Sequence, residues 1–283
     1  MRPHRAGEPG LDASETTERV DIGGRSLALT RSGKGPVTVI LETGLGAESC
    51  EWAAVRQGVS SVARVFSYDR ANRGSSDPAP RPRPASAMVD DLEVLIDRAG
   101  LPPPYILVGH SFGGLLMRIF ADRHAHQVAG LLLVDSLNDR QFDVFGPLFP
   151  PPTASDPPQL QETRAFWTGG WRDAASTPEG IDFPTSLAEG RAITALGDIP
   201  LVVISAGTFL NQPMMPAAFR SLLQERWDEL QGGFLGLSTR AEIIGAPLSG
   251  HFVQRDDPLP IIKAIKMLVA DAGALPASSR SSA

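Results

Sequence analysis

The sequence predicts an α/β fold with a mostly parallel β-sheet, and two observations lead to this prediction. Apolar runs of strand length alternate with longer segments in which apolar residues recur every three or four positions. Two of the short runs, residues 37–41 and 128–134, contain almost no polar side chain, which is typical of strands buried on both faces of a parallel sheet. Strands that alternate with helices in this way favour a sheet covered by helices on both sides.

The predicted elements follow one another without an internal repeat. A hairpin around Gly23-Gly24 supplies the first two strands. Six later strands are predicted at residues 37–41, 63–68, 105–108, 128–134, 199–206 and 241–245. Amphipathic helices are predicted at residues 48–58, 85–99, 112–123, 216–231 and 259–270. Residues 1–17 and 273–283 are polar and aperiodic, so we expect a disordered leader and a flexible tail.

Composition and charge exclude several classes of protein. The 283 residues are 42% hydrophobic and 20% charged, and the net charge of −6 is spread without long runs, which argues against a nucleic-acid partner. The one cysteine, Cys50, excludes a disulfide within this chain and a cysteine metal cluster. No apolar stretch approaches the length of a membrane span. Residues 1–17 lack the apolar segment of a secretory signal, so a cytoplasmic location is expected.

Residues 137–197 interrupt the alternation of strands and helices after the sixth predicted strand. They contain a proline-rich stretch and several large aromatic side chains. An insertion at the carboxyl edge of a sheet is how a lid is built, so we expect a core of residues 18–136 and 198–272 beneath a lid of residues 137–197. Aromatic side chains of an insertion often form a small core of their own. The candidates for substrate contact are Phe142, Phe145, Phe166, Trp167 and Trp171.

A serine lies at the sharpest predicted turn of the chain. Residues 109–113 have the spacing G-x-S-x-G between a buried strand and a helix, which predicts a nucleophile elbow with Ser111 at its tip. Gly109 and Gly113 are expected because a Cβ atom there would collide with the neighbouring strand and helix. The amide of Phe112 begins the helix, and the glycine-rich loop after residue 41 offers the amide of Leu45. These two N–H groups are the candidate donors to an oxyanion.

A serine nucleophile needs a general base, and elimination among five histidines favours His251. His4 lies in the leader, and His110 is adjacent to Ser111 on a strand where neighbouring side chains diverge. His124 and His126 follow the far end of the helix after Ser111, roughly 20 Å away at ~1.5 Å per residue. His251 alone follows a late strand, between a glycine and a phenylalanine.

The base needs an acid that orients the imidazole. In enzymes built on this turn, the acid lies between the serine and the histidine in the chain. The loop after residues 199–206 contains no carboxylate, whereas Asp135 ends the preceding strand at the correct edge of the sheet. We therefore expect Asp135 to be the acid. Asp228 on the next helix and Asn211 as a neutral orienting group remain alternatives.

Taken together, these motifs resemble the α/β-hydrolase fold superfamily, in particular its lid-bearing branch of serine esterases and cofactor-free haloperoxidases. The resemblance covers about residues 18–272. The matching stretches are residues 41–46, Tyr68-Asp69-Arg70 with Gly74 and Ser76, residues 109–114, residues 132–135 and Gly250-His251. It implies a twisted, mostly parallel sheet flanked by helices, with a helical lid after the sixth strand. The chain departs from the pattern at Glu42, near where many members have a histidine.

The resemblance and the residues together predict a serine hydrolase that acts on a carboxylic ester or lactone of a small, largely apolar molecule. Dehalogenases and epoxide hydrolases of the superfamily use an aspartate nucleophile, whereas position 111 is serine. Alternatives are amide, thioester or C–C bond hydrolysis, acyl transfer, perhydrolysis, or a ligand-binding receptor with little turnover. We expect no metal, no organic cofactor and a monomer or homodimer.

Overall fold

The computed structural model describes residues 15–210 and 215–274, and an eight-stranded sheet forms the centre of this part of the chain. The strands are β1 Thr16–Asp21, β2 Ser26–Ser32, β3 Thr38–Glu42, β4 Arg64–Tyr68, β5 Tyr105–His110, β6 Val128–Val134, β7 Leu201–Thr208 and β8 Ala241–Gly250. Their order in the sheet is β1-β2-β4-β3-β5-β6-β7-β8. The β1–β2 and β2–β4 pairs are antiparallel, and the other pairs are parallel.

Helices cover both faces of this sheet, as the alternating pattern predicts. They are α1 Ala53–Val59, α2 Ala85–Arg98, α3 Phe112–Arg123, α4 Gln141–Phe145, α5 Pro158–Thr168, α6 Phe183–Ala192, α7 Ala217–Gly232, α8 Val253–Asp256 and α9 Leu259–Ala274. Val39 and Leu41 pack with α1 and α9, whereas Ile40 packs with α2 and α3 on the opposite face. Successive side chains of a strand point to opposite faces, so an uninterrupted apolar strand fills two separate cores.

Several boundaries of the structure differ from the sequence-based expectation. Strand β1 begins at Thr16, so Thr16 and Thr17 are not part of a disordered leader; they pair with Arg31 and Thr30 of β2. Helix α9 continues to Ala274, two residues into the expected tail. Glu15 of the expected leader is described and bonds to Arg56, and residues 1–14 and 275–283 lie outside the described residues. Strand β8 is also longer than residues 241–245, because its pairing with β7 continues to Gly250.

Helices α4, α5 and α6 lie between β6 and β7, where the sequence predicts an insertion. Their aromatic side chains do not form a separate core. Phe142, Trp167 and Phe183 are buried in the same cluster as the side chains that connect α2 and α3 to the sheet. The inserted segment, residues 137–197, therefore rests directly on the carboxyl end of the sheet.

The turn between β5 and α3 brings two backbones into contact, and glycine permits this. A Cβ atom on Gly109 would lie 2.5 Å from the carbonyl oxygen of Gly113. A Cβ atom on Gly113 would lie 2.5 Å from the carbonyl oxygen of Thr43 and 2.6 Å from that of Glu42. The collisions expected at both glycines are thus present, and the elbow packs against the loop after β3.

We expect Gly113→Ala to lower the free energy of unfolding by about 2–3 kcal/mol, because backbone atoms must move to admit the methyl group. Gly232→Ala at the end of α7 is the control, since nothing lies within 4 Å of its added Cβ atom. It should be neutral or stabilising by up to about 1 kcal/mol. Urea denaturation measures both, and equal stability of the two variants would contradict this account of the elbow.

Candidate active site

Ser111 has a strained backbone at the tip of the elbow. Its φ of 50° and ψ of −122° place a non-glycine residue at positive φ, between β5 and the first residue of α3. Such conformations persist only where the surrounding structure enforces them. Here the Ser111 amide donates to the carbonyl oxygen of Val134 (3.1 Å), and its own carbonyl accepts from the amide of Leu137 (2.9 Å). The turn is thereby attached to the end of β6, and the side chain faces a cavity.

His251 lies directly after β8 and bonds to the carboxylate predicted as its partner. The distance from His251 Nδ1 to Asp135 Oδ2 is 2.6 Å. Asp135 is completely buried, and the His251 side chain is 21% exposed. The Nδ1–H donor and the carboxylate fix the ring so that Nε2 is free to act as a base. His251 and Ser111 line the same cavity, and no hydrogen bond joins them in the described part of the chain; such bonds commonly tighten only when substrate binds.

Two further donors hold Asp135, and sequence reasoning missed one of them. Asp135 Oδ1 accepts from Trp227 Nε1 at 2.7 Å and from the amide of Ala206 at 2.9 Å. Trp227 reads in the sequence as one of several apolar positions of helix α7, and nothing in the spacing distinguishes its indole N–H. The alternative acid, Asp228, bonds instead to Gln224 Nε2 (2.8 Å). Asn211 lies outside the described residues.

The amides of Leu45 and Phe112 have no hydrogen-bond partner among the residues that the structure describes, and both residues line the cavity with Ser111. Phe112 is the first residue of α3, where a helix leaves its N–H groups unpaired and carries a partial positive charge. Gly44 allows the approach of this loop, since a Cβ atom there would lie 3.2 Å from Ser111 Cβ. The arrangement can accept a negative oxygen beside the serine.

A buried arginine holds the loop that carries Leu45. Arg70 donates to the carbonyl oxygens of Thr43 and Gly44, both at 2.7 Å. It also forms ion pairs with Glu42 at 2.5 Å and with Glu179 at 2.7 Å. Glu179 belongs to the inserted segment and accepts from the amide of Gly46 at 2.7 Å. Arg70 and Glu179 therefore fix both ends of this loop, and Glu179 is a second residue that sequence reasoning missed.

The two carboxyl groups around Arg70 have opposite pKa shifts. Burial raises the pKa of Glu42 above its ordinary value, although Arg70 and the hydroxyl of Tyr68 act in the other direction. Burial also opposes ionisation of Glu179, but the charge and hydrogen bonds of Arg70 outweigh it and lower the pKa of this carboxyl. Ionisation is therefore easier for Glu179, on the inserted segment, than for Glu42, at the end of β3.

His110 is excluded as the base because both of its ring nitrogens are engaged. Nε2–H donates to the carbonyl oxygen of His251 at 2.8 Å, and Nδ1 accepts from Gln254 Nε2 at 3.2 Å. Burial and the neighbouring His251 lower the pKa of His110 well below its ordinary value, so the ring is neutral. Of the other histidines, His124 and His126 lie at the far end of α3, and His4 lies outside the described residues.

A cavity of about 240 Å³ extends from Ser111 and His251 to the inserted segment. Its wall is largely aromatic. The aromatic residues that contribute are Phe112, Phe142, Phe166, Trp167, Phe183, Phe209, Trp227 and Phe252. Among residues 15–210 and 215–274, no group of three or more His, Cys, Asp or Glu side chains could hold a metal ion. In the same ranges, every helix is too short or too polar to cross a bilayer.

Three of the five predicted contact residues line this cavity, namely Phe142, Phe166 and Trp167. Phe145 and Trp171 do not. Phe145 packs behind the wall against Trp167, with ring centroids 5.1 Å apart, and Trp171 stacks on the far side of Phe142 at 4.6 Å. A helix turns its successive side chains in different directions, so the aromatic composition alone could not separate the wall from its support.

Comparison with known proteins identifies the family. A family model described as the alpha/beta hydrolase fold matches residues 37–240. The chain belongs to this family. The hydrolase is 28% identical to the uncharacterized protein YqjL of Bacillus subtilis over 230 residues, which cover 81% of each protein.

Solved structures of other alpha/beta hydrolases have the same fold. A thermophilic esterase from Thermogutta terrifontis matches 91% of this hydrolase and 99% of its own chain, with a TM-score of 0.57 and 18% identity. The haloalkane dehalogenase DatA from Agrobacterium tumefaciens matches 91% and 97%, with a TM-score of 0.59 and 15% identity. At these identities the likeness establishes the fold alone.

Removal of the indole donor should destabilise the hydrolase. We expect Trp227→Phe to lower the free energy of unfolding by about 2 kcal/mol, because a buried carboxylate loses one charge-assisted hydrogen bond. Trp171→Phe is the matched control, since the indole N–H of Trp171 has no partner in the described part of the chain. Chemical denaturation of both variants gives the comparison, and a larger loss in Trp171→Phe would contradict the role assigned to Trp227.

The ion pair of Glu179 should make stability depend on pH in a defined direction. Because the pKa of Glu179 is lower in the folded chain than its ordinary value of 4.5, its ionisation stabilises the fold fully above that value. The stabilisation is lost as the pH falls through the folded-state pKa. We expect Glu179→Gln to cost about 3 kcal/mol at neutral pH, and the difference from the wild type to shrink below pH 4.5.

Denaturation curves at several pH values measure this difference. Glu189→Gln is the control, because Glu189 is half-buried on the same inserted segment and, in the described part of the chain, its carboxylate bonds only to Ser86. It should cost less than Glu179→Gln at neutral pH. A cost of Glu179→Gln that stays constant from pH 7 to about pH 3 would show that the ion pair with Arg70 does not contribute as described.

Proposed function

We propose that this hydrolase cleaves a carboxylic ester or lactone of a small, largely apolar molecule through an acyl-enzyme on Ser111. The observation that supports the proposal most directly is the 2.6 Å bond between Asp135 and His251 beside a cavity that also contains Ser111 at a strained elbow. A buried carboxylate that bonds to an imidazole, with a serine hydroxyl in the same cavity, supplies the parts of a catalytic triad.

In the proposed mechanism, Ser111 Oγ attacks the substrate carbonyl while His251 Nε2 removes its proton. The Leu45 and Phe112 amides donate to the oxyanion of the tetrahedral intermediate. His251 then returns the proton to the leaving alkoxide, and an acyl group remains on Ser111. Water, deprotonated by the same imidazole, attacks the acyl carbonyl and releases the acid. Asp135 stays ionised and stabilises the imidazolium in both halves of the cycle.

The inserted segment acts as the lid in this proposal. It contributes Phe142, Phe166 and Trp167 to the wall of the cavity, and Glu179 connects it to the loop of Leu45. An apolar wall lowers the local dielectric and strengthens the electrostatic interactions at the serine. The same wall favours one second candidate, transfer of the acyl group to an alcohol, because it limits the access of water.

We expect Ser111→Ala to abolish hydrolysis of p-nitrophenyl esters, with a loss of at least about 10⁴-fold in kcat, and Asp135→Asn to lower kcat by roughly 10³- to 10⁴-fold. Asp228→Asn is the control and should stay near wild type. A fluorophosphonate should add to the wild type once, at Ser111, as mass spectrometry of its peptides would show. The opposite ranking of the two aspartate variants would assign the acid role to Asp228.

An alcohol added to the same assay separates hydrolysis from acyl transfer. Formation of free acid that is independent of the alcohol supports a hydrolase. A new ester that replaces the acid supports a transferase. A fluorophosphonate adduct without turnover of any ester would contradict ester hydrolysis and point to acyl transfer or to another acyl substrate. The absence of both adduct and turnover would favour the ligand-binding alternative.

A further inference from the structure

Gln141 is a polar side chain of the cavity wall that does not belong to the proposed triad and bonds to no neighbouring group in the described part of the chain. It is the first residue of α4 and is 6% exposed, and it lines the cavity together with Ser111 and His251. Its amide group bonds to no residue in 15–210 or 215–274. The amide is open to the cavity, since it is not among the fully buried side-chain groups without a partner, and it is available to a ligand that enters.

The surroundings of Gln141 offer it no other partner. The wall is otherwise aromatic or aliphatic, apart from the triad residues and His110, whose two nitrogens are engaged. Trp167 lines the same cavity, and its Nε1–H also lacks a partner in the described part of the chain. Two unused N–H donor groups in an apolar cavity fit a ligand that carries an acceptor oxygen.

The backbone that carries Gln141 is held in place. The backbone N–H of Gln141 donates to the carbonyl oxygen of Asn138 at 2.9 Å, and Asn138 Nδ2 donates to the carbonyl oxygen of Leu230 at 2.9 Å. The amide of Arg140 donates to Asn138 Oδ1 at 3.0 Å. These bonds connect the start of α4 to helix α7, so the side chain is presented from a fixed position, as a specific recognition group requires.

The size and charge of the cavity limit what the oxygen can be attached to. A cavity of roughly 150 Å³ holds benzene, so the 240 Å³ available here suits one ring or a short branched chain with a substituent. The wall has no Lys, Arg, Asp or Glu side chain. A charged substituent would lose its hydration without gaining a counterion, whereas a hydroxyl or carbonyl would be satisfied by a neutral amide.

We propose that Gln141 is the specificity-determining residue of this site, and that the substrate is an ester of ring size with one neutral oxygen substituent that bonds to its amide. This inference rests on the proposed function, because the same cavity contains Ser111. An ester without the oxygen leaves the Gln141 amide buried and unpaired. The site therefore selects by the penalty on the wrong substrate as much as by attraction to the right one.

Two matched ester pairs test the inference by activity. Methyl (4-hydroxyphenyl)acetate and methyl phenylacetate place the oxygen on the acyl side, and 2-(4-hydroxyphenyl)ethyl acetate and 2-phenylethyl acetate place it on the alcohol side. We expect the wild type to prefer the hydroxylated member of at least one pair about 10- to 100-fold in kcat/KM. Gln141→Met, of similar length but without the amide, should reduce this ratio to near one.

Gln159→Met is the matched control, because Gln159 is exposed on α5 of the same inserted segment. It should keep the wild-type preference. A wild type that turns over both members of both pairs equally, or a Gln141→Met variant that keeps the preference, would overturn the inference and leave the proposed hydrolysis intact.

Binding of p-cresol and toluene tests the inference without catalysis. These two rings have nearly the same size, and the fluorescence of Trp167 and Trp227 in the wall reports their entry. We expect the wild type to bind p-cresol about tenfold more tightly than toluene, and Gln141→Met to lose this difference. The same result in a chain that hydrolyses no ester would refute the proposed function alone. Equal affinity of the wild type for both rings would overturn the role of Gln141.

Discussion

The buried carboxylate of Asp135 is the interaction on which the candidate site depends. A fully buried negative charge is tolerated only when its oxygens are bonded, and here the donors come from three different parts of the fold. Trp227 extends from helix α7, Ala206 belongs to strand β7, and His251 follows strand β8. Each of these elements must be in its final position before the carboxylate is satisfied. Because the buried carboxylate must be paired, the packing of the sheet and α7 determines where the imidazole of His251 lies.

A second buried charge cluster has the same effect on the opposite side of Ser111. Arg70 follows strand β4, and it bonds to two carbonyl oxygens of the loop after β3 and to Glu179 of the inserted segment. Removal of Glu179 from this contact would leave the buried guanidinium of Arg70 with Glu42 as its one carboxylate partner in the described part of the chain. The inserted segment is thus connected to the oxyanion loop by charge as well as by aromatic packing. Displacement of the segment near Glu179 would disturb the amides of that loop.

Sequence reasoning predicted the parts of the site that depend on local spacing and on elimination. The G-x-S-x-G spacing marks Ser111 in the sequence itself, and His251 is the one histidine that follows a late strand. Asp135 is predicted from its place at the end of a buried strand. Trp227 and Glu179 carry no such signal. They meet their partners across 92 and 109 residues of chain, and their local patterns describe an amphipathic helix and an irregular proline-rich stretch. Their roles are set by the tertiary packing, which local periodicity does not encode.

The loop after β7 gives a physical reason why the carboxylate that bonds to His251 follows β6 instead. Phe209 follows β7 directly and stacks on Trp227 with ring centroids 3.6 Å apart, and it lies perpendicular to the ring of His251 with ring centroids 5.3 Å apart. A carboxylate at this position would be desolvated by aromatic rings and would displace the stack that orients the indole. With Phe209 there, the indole N–H of Trp227 is directed to Asp135, and His251 contacts an apolar ring. The aromatic wall and the position of Asp135 therefore depend on each other, since Phe209 lines the cavity next to His251 and also supports Trp227, which donates to Asp135.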